Sequence, residues 1–242
     1  MNWRNKLDLS FVQKELDPTY VLEKLINGVC TTNKLIGIGL DDISEEKRQE
    51  LVATYEKLVL EEAKEFKHAV ETKDKVELLD AVVDTLVVGS YYLLLKGENF
   101  DNLTYLERDQ PLEHYAEWFI KEFDNKNVED LFYLASEIFF KLKVNHEKAV
   151  DTVLESNLSK FPTMCQLEYT IGDRTPSSLI AYQCALIESV GRYTGVHCKK
   201  VVDSEGEERL TFWATHDNGE EKLKYVKPET YTDPLFAECF YQ

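Results

Sequence analysis

The stretch from Val76 to Leu95, VELLDAVVDTLVVGSYYLLL, sets the terms for any fold of this 242-residue chain. It is apolar on nearly every side of a helical wheel, and a helix of that kind belongs in a protein interior. Yet it carries Glu77, Asp80 and Asp84. At about 100° per residue, Asp80 falls about 60° and Asp84 about 20° from Glu77, so the three acids share one face. An unpaired carboxylate in apolar surroundings is costly, so these acids must be solvated, protonated, ion-paired or bound to a cation. Leu79, Val82, Val83, Leu86, Val87 and Val88 leave little room for a solvated stripe.

The preceding segment, ISEEKRQELVATYEKLVLEEAKEFKHAV from Ile43 to Val70, has apolar residues at helical spacing, with Ser44 as N-cap and Glu45 and Glu46 in the first turn. The break ETKDK then leads into the apolar helix, which the glycine of KGEN ends. Two long helices joined so tightly are antiparallel neighbours, an αα-hairpin. On the first helix Glu62 and Glu65 are three apart and Glu61 and Glu65 four apart, again one face, so the hairpin can direct up to six carboxylates at one another. Like charges so placed repel and raise one another's pKa unless divalent cations lie between them. All-oxygen ligation selects hard metals, Mg2+ or Mn2+, whose remaining coordination positions suit phosphate oxygens and water.

Beyond a polar linker, GENFDNLTYLERDQ, three more amphipathic helices are expected, LEHYAEWFIKEF, VEDLFYLASEIFFKLK and HEKAVDTVLESNLSKF, and a further one near Ser177 to Tyr193. The period then changes. VHCKKVV, RLTFWATH and KLKYVKP, separated by turns at DSEGEE and DNGE, predict a small β-hairpin or three-stranded meander. The expected fold is mainly α, a helical bundle with a small C-terminal β element. Residues 1–41 form an extension of uncertain structure, in which NKLIGIGL is a strand or an apolar loop; residues 42–162 form the metal-binding core; residues 163–242 form a helix and hairpin packed on it.

A net charge of −17 repels nucleic acid and anionic membranes. Five scattered cysteines without a C-x-x-C pair fit reduced thiols in the cytoplasm rather than a disulfide framework or zinc site. The N-terminus has no signal-type apolar region, and no segment approaches the uninterrupted apolar length of a membrane span. Neither a P-loop nor a G-x-G-x-x-G nor a G-x-S-x-G motif is present, and the five histidines are scattered. The aromatics Trp118, Phe119, Phe132, Tyr133, Phe139 and Phe140 are expected in the core.

EEAKE, a short turn and then ELLD resemble the E-E-x-x-E … E-x-x-D signature of the all-α nucleoside triphosphate pyrophosphatases, the superfamily of MazG, the dimeric dUTPases and phosphoribosyl-ATP pyrophosphohydrolase. The D-A-x-x-D-x-L-x-V form of the second helix resembles the MazG-like phage and bacterial subgroup, as do ESNLSKF and LKYVKPETYTDPLF further along. The resemblance implies a Mg2+-dependent enzyme (Mn2+ as substitute) that cleaves a nucleoside triphosphate, usually a deoxynucleotide, between the α and β phosphates. It places Glu62, Glu65, Glu77 and Asp80 on metal-ligand positions. Asp84 fits a ligand position of the D-A-x-x-D form, so whether Glu77 or Asp84 completes the site stays open. Glu61 is the candidate for positioning the attacking water, beside Glu62 and Glu65 as catalytic acids. Asn157 and Lys160, with Lys224 and Lys227 more weakly, are implied to contact base or phosphate. A homodimer or homotetramer is expected, in the cytoplasm (of the host, if phage-encoded), acting on a nucleotide pool.

Two rivals stand beside this reading. One is a non-catalytic acidic helical protein that binds a partner, which would tolerate acids scattered over its outside. The other keeps the metal site but acts on a different phosphoanhydride, such as an alarmone or phosphoribosyl-ATP.

Overall fold

A computed structural model describes residues 18–98, 110–172 and 174–241. Among the described residues eight α-helices come first: α1 (Pro18–Leu35), α2 (Glu45–Thr72), α3 (Lys75–Lys96), α4 (Leu112–Asn125), α5 (Val128–Lys141), α6 (His146–Ser159), α7 (Met164–Ile171) and α8 (Pro176–Ser189). Four strands follow, β1 (Tyr193–Thr194), β2 (His197–Val202), β3 (Glu208–Asp217) and β4 (Glu220–Tyr225), and then a 3-10 turn at Phe236–Cys239. The molecule is mainly α with a small C-terminal antiparallel sheet.

The hairpin forms for the local reasons expected of it. Ser44 caps α2 by accepting the Lys47 N–H at 3.2 Å, and Lys73 ends it in the left-handed region (φ 58°). Asp74 at once caps α3, its carboxylate accepting from Val76 N and Glu77 N. One residue thus separates the C-cap of α2 from the first turn of α3, and the helices run antiparallel along their length. On α2, Leu51, Tyr55, Val59, Ala63, Phe66 and Ala69 are buried at three- and four-residue spacing. On α3 burial is nearly all-round, because α1, α2, α5 and α6 all pack on it. Gly89 makes the α5 contact possible: a Cβ there would sit 3.1 Å from the ring of Phe132, which is fully buried and has nowhere to move.

By length and hydropathy α3 qualifies as a membrane span, with a mean hydropathy of 1.7 over 18 residues, so the expectation that no segment approaches one is corrected. Its apolar surface is spent inside the protein, where the covering helices bury 67% of that window. Glu77, Asp80 and Asp84 interrupt the run, so that its apolar character is not continuous along the sequence.

Two elements differ from expectation. The region before Asp42 contains α1, whose Val21, Leu22, Leu25 and Val29 enter the main core, and NKLIGIGL is the end of that helix and the turn after it rather than a strand. Helix α7 lies between the expected helices, held by a capping box of Thr163 and Gln166. The linker at 99–109 lies outside the described residues.

In the sheet β3 pairs antiparallel with all three other strands, so the meander gains a fourth, two-residue member. The β3–β4 turn uses Asn218 and Gly219 at φ 52° and 81°, the two successive positive values that a tight hairpin needs. The sheet and α7–α8 enclose a second apolar cluster around Leu167, Leu179, Leu210 and Phe212. It joins the helical core at the end of α6. Buried Arg209 donates to the Phe161 carbonyl at 3.1 Å while pairing with Asp203 at 2.6 Å, and Leu210 N donates to Pro162 O at 2.8 Å.

After β4 the chain returns along α6 as a strap. It is tied at the C-terminal end of that helix by Tyr225 Oη to Lys160 O (2.5 Å), Thr230 Oγ1 to Ser159 O (3.0 Å) and Thr232 N to Ser159 Oγ (3.0 Å). At the N-terminal end, Asn145 N donates to Cys239 O and Lys148 pairs with Glu238. Phe236 and Cys239 enter the helical core, so the last residues belong to the same hydrophobic unit as α1–α6.

Candidate functional site

The carboxylates of α2 and α3 meet as the periodicity requires. Glu62 lies in the field of Asp84, Glu65, Asp80 and Glu61, and Asp80 in that of Glu77, Glu65 and Asp233. Burial first, and these neighbours second, push the Glu62 carboxyl up to about 8, Asp80 to about 6 and Asp84 to about 7. Glu62, Asp80 and Asp84 are partly buried; Glu61, Glu65 and Glu77 are exposed and line a cavity of about 580 Å³ together with Lys64 and His68.

The cations come from elsewhere in the chain. Lys160, at the end of α6, and Lys227, on the strap, both act on Asp84 and lower its proton affinity against the burial and the Asp80 charge that raise it. Lys160 donates to Asn157 Oδ1 at 2.5 Å, and burial, Lys227 and then the opposing pull of Asp84 and Asp233 leave its pKa below the usual lysine value. The Tyr231 ring serves both lysines, 3.7 Å from the Lys227 nitrogen and 5.6 Å from that of Lys160. Asn157, Lys160 and Lys227 are therefore beside the acids. Lys224 is not: it pairs with Asp217 at 3.0 Å within the β3–β4 hairpin and lies over the Tyr193 ring. On β4 its side chain serves strand pairing, and only the residues after the strand turn back to the helices.

Asp233 and Tyr231 were not singled out in the sequence. Both lie in LKYVKPETYTDPLF, so the segment was visible while the roles of these two side chains were not.

Three observations bear on a divalent cation. Asp80 Oδ1 is buried and has no hydrogen-bond partner among the described residues. The donors are all carboxylate oxygens, and burial raises the proton affinity of Glu62, Asp80 and Asp84 among them, the chemistry of a hard-metal site. Against these, no three His, Cys, Asp or Glu side chains among the described residues are gathered tightly enough to form a ready ligand group. The acids share a wall without closing on one point, as mutually repelling charges do. The donor set fits Mg2+ or Mn2+ in its chemistry.

The E-E-x-x-E and E-x-x-D motifs thus lie on two antiparallel helices, with Lys160 from the end of α6 and Lys227 from the strap acting on Asp84. Residues 29–103, which span both acidic helices, match the family model described as phosphoribosyl-ATP pyrophosphohydrolase. The match supports an activity of nucleotide pyrophosphohydrolase type. Comparison with the curated proteins and with the solved structures gives no match.

Proposed function

We propose that this protein hydrolyses a nucleoside triphosphate between its α and β phosphates, giving a monophosphate and pyrophosphate, with Mg2+ or Mn2+ held by Glu62, Glu65, Asp80 and Asp84. The observation that carries the reading is the gathering of partly buried acids from α2 and α3, with Lys160 and Lys227 acting on Asp84 among them. A decoy or purely structural acidic surface has no use for such acids inside, since each one reduces stability. Bound metal would neutralise the phosphate charge and lower the pKa of an attacking water.

The residues of the chain divide the remaining work. Lys160 and Lys227 supply compact, movable donors for phosphate oxygens, and Tyr231 orients both. Between Glu77 and Asp84, left open by the sequence, the burial of Asp84 beside Lys160 favours Asp84 as the ligand that completes the set, with exposed Glu77 at the rim. Glu61, exposed on the cavity wall next to Glu65, is placed to accept a proton from water. The matched family's description makes phosphoribosyl-ATP the second candidate substrate, cleaved by the same chemistry.

Pyrophosphate release from a panel of NTPs, dNTPs and phosphoribosyl-ATP, with and without Mg2+ and in parallel on Glu65→Gln, tests the reading. Metal-dependent release that the variant loses supports it. No release from any of them, with the protein folded, rejects it and brings the acidic binding-protein reading forward.

A further inference from the structure

The acids of the hairpin are arranged as rungs. Glu62 on α2 is set against Asp84 on α3, and one turn further along Glu65 is set against Asp80. Because the helices are antiparallel, one more turn brings His68 level with Glu77, and these two line the cavity of about 580 Å³ together with Glu61, Lys64 and Glu65. The third rung departs from the first two, because it sets a nitrogen base against an acid. Lys64 lies one turn before His68 on the same face of α2, so the two side chains lining the cavity that are not carboxylates are both basic.

Both basic side chains are exposed, and among the described residues neither makes an ion pair or a hydrogen bond, although Glu61 lies one turn from Lys64. Lys67, beside His68 in the sequence, is by contrast committed to Asp124 at 3.4 Å. A chain of net charge −17 repels a polyphosphate at long range, so a triphosphate needs local cations wherever its phosphates come to rest. Lys160 and Lys227 act on Asp84, at the first rung. The third rung is about 9 to 10 Å away along the helices, and there the cations lining the cavity are Lys64 and His68. Asp84 is partly buried, whereas Glu61, Lys64, Glu65, His68 and Glu77 are open to solvent. Pyrophosphate has to depart at every turnover, and the open end is where it can.

We infer that Lys64 and His68 hold the two terminal phosphates of the substrate and receive the pyrophosphate leaving group at the open end of the acidic face. The inference rests on the pyrophosphohydrolase reading and adds to it the direction in which the triphosphate lies. When water adds to the α-phosphorus, the bond from that phosphorus to the bridging oxygen breaks and its electron pair departs with pyrophosphate. One proton of the water passes to Glu61 and the other stays with the monophosphate. The negative charge gained by the departing group is met by the Lys64 ammonium, and the His68 imidazole donates an N–H to it in either protonation state.

The test is calorimetric binding of inorganic pyrophosphate, and separately of dCMP and dAMP, to the full chain at a fixed Mg2+ concentration, repeated on Lys64→Met, His68→Gln and the control Lys67→Met. Lys64 and His68 are exposed, so their variants keep the fold, which circular dichroism checks. The expected result is pyrophosphate binding weakened about tenfold in Lys64→Met and severalfold in His68→Gln, with monophosphate binding unchanged and Lys67→Met like the parent. The kcat/KM for the triphosphate that turns over fastest should fall in step with pyrophosphate affinity. Pyrophosphate affinity unchanged in both variants, or lost equally for pyrophosphate and monophosphates, overturns the inference. Metal-dependent release together with unaltered pyrophosphate affinity in both variants removes the leaving-group site and leaves the proposed activity standing. With no release from any triphosphate the activity falls, and binding decides alone: pyrophosphate held by the parent and lost from Lys64→Met supports the anion site, and no binding to the parent overturns it.

Discussion

Lys160 at the end of α6 and Asp84 in the middle of α3 lie close enough that each shifts the other's protonation. Asn157 and Tyr231 hold the lysine there, and Asp80 lies beside the aspartate. The pair joins the acidic hairpin to the end of α6, and the consequences below follow from it.

Asp84→Asn substitutes a neutral amide for an acid whose pKa of about 7 keeps it protonated in mild acid, so the metal-free variant should melt close to the parent at about pH 5.5. Its pyrophosphate release should fall by about a hundredfold or more, the scale seen when a group stabilising transition-state charge is removed. Thermal melts and kcat/KM on the same preparation check both; a strongly destabilised fold would mean that the acid is structural.

Glu62, Asp80 and Asp84 have folded-state pKa values of about 8, 6 and 7, all above the ordinary carboxylate values. The folded state therefore binds these protons more tightly than the unfolded chain does. Their stabilising contribution is full below about pH 4 and is lost progressively as pH rises to 8. The metal-free protein should lose stability across that window, and Asp84→Asn should flatten part of the slope. Urea unfolding at a series of pH values in the presence of EDTA measures it.

Mg2+ should reverse the loss, most of all at pH 8, where protons no longer shield the acids. A ligand that binds only the folded state at a hundred times its Kd adds about 2.7 kcal/mol. A melting shift at pH 8 that shrinks at pH 5.5 and disappears in Asp80→Asn is expected. An equal shift in Asp80→Asn would place the cation elsewhere.

Tyr231→Leu keeps an apolar side chain on the strap but removes the ring over Lys160 and Lys227. A cation–π contact of about 0.5–1 kcal/mol predicts a rise in KM of about two- to fivefold with the melting temperature nearly unchanged. Lys224→Met, whose ion pair lies in the sheet, should leave KM as it is.

Most of the hairpin could be read directly from the sequence. Ser44, Asp74 and Gly97 mark its helix ends through capping geometry that involves only neighbouring residues, and the shared face of Glu77, Asp80 and Asp84 follows from helical period alone. The same logic found α4, α5 and α6 and the Asn218–Gly219 turn. Helix α1 is less legible, because its C-terminal NKLIGIGL shows no helical period, its last residues being a turn.

What local pattern cannot carry is the identity of the groups opposite a helix face. Lys224 and Lys227 are equally plausible cations in the sequence, three residues apart. The tertiary structure divides them, because Lys224 is still within β4 and pairs with Asp217, whereas Lys227 lies past the strand on the strap that Tyr225 fastens to Lys160, 65 residues away in the chain. Asn33 and Tyr55 likewise become a pair only when α1 and α2 have both packed on α3. The sequence alone determined the helices and put the acids on one face, through interactions within a few residues. Long-range packing decided which cations answer them and what kind of pocket opens beside them, because those contacts are made only after the chain has closed on itself.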